Sequence, residues 1–129
     1  VYTDAETFLA AWLITELSIK AWADPNLKPD WKYEAPVHHI QRAPGEGDAA
    51  LTLDSALINI DTYSAKAANA REEAELVRHA IRVTLPHHTT ANGVFVQATQ
   101  TVMAPIWTPD PKVYRRSATY QLFLHNPGM

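Results

Sequence analysis

The chain contains no cysteine, which excludes disulfides and thiolate metal centres and is what a reducing compartment would expect. Glycine is scarce, with 4 in 129 residues. Gly45 and Gly47 make a G-x-G but lack the third glycine and the following helix of a dinucleotide-binding loop. There is no basic excess: the formal net charge is −3 and the pI about 6.0, so the chain has no overall electrostatic reason to bind nucleic acid. Long apolar runs are missing as well. The most apolar N-terminal stretch, residues 5–23, is interrupted by Glu6, Glu16 and Lys20 and has no basic start, so we expect neither a membrane span nor a signal peptide. A soluble, unexported protein is the expectation.

What is present is enough for one packed domain, residues 1–129. Hydrophobic residues make up 47% and charged residues 19%, which argues against a disordered segment. Thr3 or Asp4 can cap a first helix in which Phe8, Leu9, Trp12, Leu13 and Leu17 recur at three to four residues, with Asp24-Pro25-Asn26 as its stop. Residues 27–36, holding Trp31 and Tyr33 among prolines, read as irregular. Residues 37–42 suit a short strand, residues 44–48 a polar loop, and residues 51–63 a strand with one covered face. Thr62 or Ser64 starts a second helix that runs to about Leu85, before Pro86. Its apolar stripe is Ala67, Ala70, Ala74, Val77 and Ile81, widened by Leu76, Ala80 and Val83, with Arg71, Glu75, Arg78 and Arg82 opposite. The alanines let this helix sit close to a sheet.

Asn92-Gly93 opens a strand over residues 94–103. Three prolines make residues 105–111 a corner. Residues 113–125 form the last strand. Tyr114, Ala118, Tyr120, Leu122 and Leu124 share its core face; Arg115, Ser117, Thr119, Gln121 and Phe123 share a wetter one. The predicted fold is α+β: one mostly antiparallel or mixed sheet with two main helices packed on one face.

Chemistry-bearing residues are few. His38-His39 and His87-His88 look like ligand pairs, but neighbours on a strand point to opposite faces, and no third ligand stands at zinc spacing. Asp54, Ser55 and Asp61 suggest a hydrolase, yet there is no G-x-S-x-G elbow and no serine has a marked histidine partner. Glu72, Glu73 and Glu75 crowd one helix, where Glu75 can pair with Arg71, Arg78 or His79. Trp31 and Trp107 suit either core closure or the centre of a subunit contact. No catalytic, cofactor-binding or metal site is expected.

Three segments carry a family likeness: Ile60-Asp61-Thr62-Tyr63-Ser64 leading into Ala67-Ala68 and Glu75-Leu76-Val77-Arg78; Gly93-Val94 with Ala104-Pro105-Ile106-Trp107-Thr108-Pro109-Asp110-Pro111; and Val113-Tyr114-Arg115-Arg116 with Ser117-Ala118-Thr119-Tyr120. On them the chain resembles the tail terminator proteins of long-tailed phages, siphovirus-type and especially those infecting actinobacteria. The likeness covers about half the chain.

It implies a structural virion protein at the head-proximal end of the tail, assembled in the host cytoplasm. Such proteins form a ring, typically six subunits, on the tail tube; the ring stops polymerisation and then joins the tail to the head. The implied partners are further copies of the chain, the tail tube protein and a connector or neck protein, with DNA passing through the lumen without specific binding and no membrane involved. Arg71, Glu75, Arg78, Arg82, Trp107, Arg115, Arg116 and the loop 44–48 are the candidate contacts. A head-closure or head-tail connector protein, and a small α+β enzyme or ligand-binding domain, are the competing expectations.

Overall fold

The computed structural model describes residues 4–23, 36–43, 48–50, 53–86 and 94–125. Trp31, Gly45, Gly47 and the His87-His88 pair lie outside them. The elements are α1 (Ala5–Leu17), β1 (Lys20–Trp22), β2 (Val37–Arg42), β3 (Asp48–Ala50), β4 (Leu53–Ser64), α2 (Ala67–His79) with a π-helical end (Ala80–Thr84), β5 (Phe95–Thr108) and β6 (Tyr114–His125). The sheet runs β1-β2-β4-β6-β5, with β3 pairing to β4. Among the described residues only β1 and β2 pair in parallel; the other pairings are antiparallel. The sheet is therefore mixed, and α1 and α2 cover the same face of it, as expected.

Asp4 caps α1, its carboxylate accepting from the backbone N–H groups of Glu6 and Thr7. The helix ends earlier than expected. Ser18 takes a left-handed conformation, φ 54°, and returns its N–H to the carbonyl of Ile14, which stops the helix at Leu17. The apolar spacing continues past Ser18, but it now serves β1, whose Trp22 is buried and stacks on His39 at 4.6 Å. Glu6 fastens α1 to the sheet by accepting the N–H of Arg42. Arg42 in turn grips the buried Asp54 with both terminal guanidinium nitrogens, at 2.7 and 2.9 Å.

The second helix starts later than expected. Thr62 and Ser64 belong to β4, and Lys66 is the N-cap without a side-chain cap bond; the Ser64 hydroxyl instead accepts the N–H of Lys66. Ala70, Ala74, Val77, Ala80 and Ile81 are buried as the stripe requires, whereas Leu76 and Val83 are exposed and do not widen it. Near its end the helix loosens to π geometry because Leu85 donates to Ala80, one residue further back than in an α-helix. That frees the Ile81 carbonyl, which accepts the Thr99 hydroxyl of β5 at 2.8 Å. A hydrogen bond lost within the helix is thus regained against the sheet.

The corner proposed for residues 105–111 is shorter than expected. β5 continues through Pro105 to Thr108. Among the described residues it is paired on one side only, with β6, and the register shifts between Met103 and Ile106, so the missing N–H of Pro105 breaks no ladder bond there. The true turn is residues 109–113. There the Asp110 carboxylate accepts the N–H groups of Lys112 and Val113, at 2.9 and 3.1 Å.

The core joins α1, α2 and the inward face of β2, β4, β5 and β6, with Leu9, Leu13, Ile40, Ile58, Ile81, Tyr120, Leu122 and Leu124 among its fully buried side chains. On β6, Ala118, Tyr120, Leu122 and Leu124 are buried, but Tyr114 at the strand start is exposed. The helix-free face is laced rather than simply wet. Thr108 donates to Ser117, Ser117 and Arg115 donate to Asp61, Thr119 donates to Asn59, and Gln121 donates to Ser55.

Candidate functional site

The tip of the β5–β6 hairpin and the start of α2 enclose a groove of about 730 Å³, lined by Ala67, Arg71, residues 107–113, Tyr114 and Arg115. Its centre is Trp107, still 43% exposed although it is the largest side chain there. The Arg116 guanidinium lies over the Trp107 ring at 4.7 Å and that of Arg71 at 5.5 Å, and Tyr114 meets the ring edge-on at 6.1 Å. The assembly follows from local geometry. Trp107 and Arg116 are register partners across β5 and β6 on the helix-bearing face, and Arg71 reaches them from the first turns of α2.

Behind the groove, Glu75 lies 3.6 Å from Arg78 and 4.0 Å from Arg116. Arg71, Glu75, Arg78, Trp107 and Arg116 therefore form one connected cluster. Arg115 and Arg82 do not join it. Arg115 points to the other face, where it pairs with Asp61 at 3.0 Å and sits over the Tyr63 ring. Partial burial opposes its charge, but the Asp61 carboxylate outweighs this and raises its pKa. Arg82 is a strut: its guanidinium donates to the carbonyl and hydroxyl of Thr99, pinning the π-helical end to β5.

The remaining polar candidates are used internally. Asp54 is held by Arg42, Asp61 by Arg115 and Ser117, and Ser55 accepts from Gln121. One arrangement escaped the sequence reading. The Thr62 hydroxyl contacts Nδ1 of His38 at 2.9 Å, and Nε2 of His38 contacts Glu73 at 3.3 Å. With Nε2–H donating to the carboxylate, Nδ1 is left to accept from the hydroxyl, which is the hydrogen-bond sense of a nucleophilic triad. Burial decides against that use. His38 is 0% and Thr62 2% exposed, so no substrate reaches the hydroxyl, and the chain of bonds ties β2 and β4 to α2. His39 faces the opposite side and stacks on Trp22. Among the described residues, no group of three or more His, Asp or Glu side chains gathers at metal-ligand spacing, and no helix is long and apolar enough to cross a membrane.

The Tyr120 hydroxyl is buried beneath α2 with no hydrogen-bond partner among the described residues. Burial pushes its pKa up; Arg78 pulls the other way and Glu75 adds to the rise. Two results are expected. Tyr120→Phe removes an unsatisfied polar atom and should raise the unfolding free energy by about 1 kcal/mol at neutral pH. In the wild type the unfolded chain loses this phenolic proton first, near pH 10. The contribution of the neutral phenol is therefore complete below pH 10 and is lost as the pH climbs toward the higher folded value. Urea unfolding between pH 7 and 11 should show the variant falling less steeply at the alkaline end. A less stable variant at neutral pH would mean that the hydroxyl has a partner after all.

Fold and groove together define an α+β domain with a one-sided sheet and an aromatic–arginine surface groove at one flank. Comparison with protein-family models finds no match. Comparison with curated proteins finds no significant match either.

Proposed function

We propose that the protein is a ring-forming cap on the tail tube of a long-tailed phage, which ends tube growth and offers the surface where the head is joined. The observation that supports this reading is the Trp107 groove. An exposed tryptophan with two guanidinium groups over its ring, rimmed by tyrosine and prolines, has the chemistry of an interface centre. Part of the family likeness, Trp107, Pro109, Asp110, Pro111, Tyr114, Arg115 and Arg116, builds or borders the groove.

The physics of the role follows from symmetry. A cap must hold the tube end more tightly than the next tube subunit would, and it must hide the surface to which that subunit adds. A cyclic ring with head-to-tail contacts does both, because it closes on itself and leaves two unlike faces. On this reading the protein works by shape and association, not by turnover.

The test is electron microscopy of tails assembled with and without the protein, together with light scattering of the protein alone and with tubes. Overlong tubes in its absence and ring-sized mass at tube ends in its presence are expected. Tubes of normal length that fail to join heads would replace this reading with a head-tail connector.

A further inference from the structure

The groove leaves cationic charge unanswered. Arg71 and Arg116 lie 5.5 and 4.7 Å from the centre of the Trp107 ring, so their charges stand no more than about 10 Å apart, near the screening length of physiological saline. The ring attracts both but offers no lone pair, so the guanidinium N–H groups still need acceptors. Among the described residues Arg71 has no carboxylate within ion-pair distance, and neither has Lys112 in the hairpin turn. Glu75 comes only to 4.0 Å from Arg116, whose Nε atom is buried without a hydrogen-bond partner among the described residues. Arg115 is answered by Asp61, and Asp110 turns one carboxylate oxygen to the N–H groups of Lys112 and Val113. The wall around these charges is apolar: Trp107, Pro109, Pro111 and Tyr114 are all exposed.

A carboxylate suits this arrangement, because its two oxygens match the fork of a guanidinium. A nucleic-acid strand suits it less. Its phosphates would run past Glu72 and Glu75, both exposed within about one turn of Arg71 on α2, and the chain as a whole carries a net charge of −3. The groove is open along the surface rather than enclosed, which favours an extended chain over a small molecule that needs burial on most sides. We infer that the groove binds a short acidic segment of a partner protein, in which carboxylates flank an aromatic side chain. The carboxylates meet Arg71 and Lys112, and the aromatic side chain packs on Trp107, Tyr114 and the two prolines. The inference rests on the reading of the groove as an interface centre and adds the chemistry of the chain that faces it.

Fluorescence anisotropy with the whole chain and a labelled peptide tests this. The probe is a terminally blocked peptide with two glutamates flanking a phenylalanine. Arg71→Gln should weaken its binding about tenfold and Lys112→Gln about threefold. Replacing both glutamates of the peptide with glutamines should cost about thirtyfold. The double variant Arg71→Glu with Lys112→Glu should instead prefer a peptide that carries lysines in place of the glutamates. Both positions are exposed, so the thermal melts of these variants should match the wild type. No binding, equal binding of the glutamate and glutamine peptides, or tighter binding of a single strand of six thymidines overturns the inference. Tube ends that are still capped in that case leave the cap reading standing. Charge-selective peptide binding by a protein that leaves tube ends uncapped upholds the inference and overturns the cap reading.

Discussion

Replacing Trp107 with alanine should abolish ring formation on tube ends while leaving the subunit folded. Trp107 is half exposed, and its contacts among the described residues include two guanidinium groups over the ring and one tyrosine edge. Losing them should cost the fold about 1 kcal/mol. An aromatic anchor at the centre of an interface is worth about 2–4 kcal/mol, so association should weaken by roughly 30- to 1,000-fold. Light scattering across a dilution series, read beside a thermal melt, separates the two effects. Trp107→Phe should keep part of the association. A large fall in melting temperature with unchanged assembly would show that Trp107 closes the core and would remove the main support for the proposed interface.

The second large effect is expected at Leu9. Its side chain is fully buried where α1 lies on the sheet. Leu9→Ala leaves a cavity as well as losing apolar burial, and should cost about 2–5 kcal/mol. For a domain of this length that lowers the melting temperature by roughly 10 °C or more. Ile14→Ala, five residues along the same helix but 44% exposed, should change stability by only about 0.5 kcal/mol. Denaturant titration of the pair tests which face of α1 is buried. Equal losses at both sites would place Ile14 in the core.

Much of the fold was legible from periodicity. The alanine stripe of α2 and the two-residue alternation of β6 lie where the spacing puts them, because one buried face imposes its period on the residues that line it. Where the period continues through a change of element, the sequence misleads. Ile19, Lys20 and Trp22 keep a plausible helical spacing, yet the left-handed Ser18 turns the chain into β1. Pro105 reads as a strand breaker, but an edge strand has one side with no hydrogen bonds to lose.

The candidate site was legible as a set of residue types but not as a set of contacts. Seven side chains were singled out, and two of them, Arg82 and Arg115, are occupied by Thr99 and Asp61 instead. Both partners lie many residues away in sequence, so no local pattern could have revealed them. The same holds for His38, whose partners Thr62 and Glu73 come from a different strand and from α2.

The amino-acid order alone determined the two helices, the four longer strands β2, β4, β5 and β6, the one-sided sheet and the opposite facing of Arg115 and Arg116, since each follows from periods of two or 3.6 residues. Tertiary structure decided which polar groups are already satisfied and which remain open to a partner. That depends on strand register and burial, and these bring Trp107, Arg116 and Arg71 together at the surface while sealing His38 and Thr62 inside.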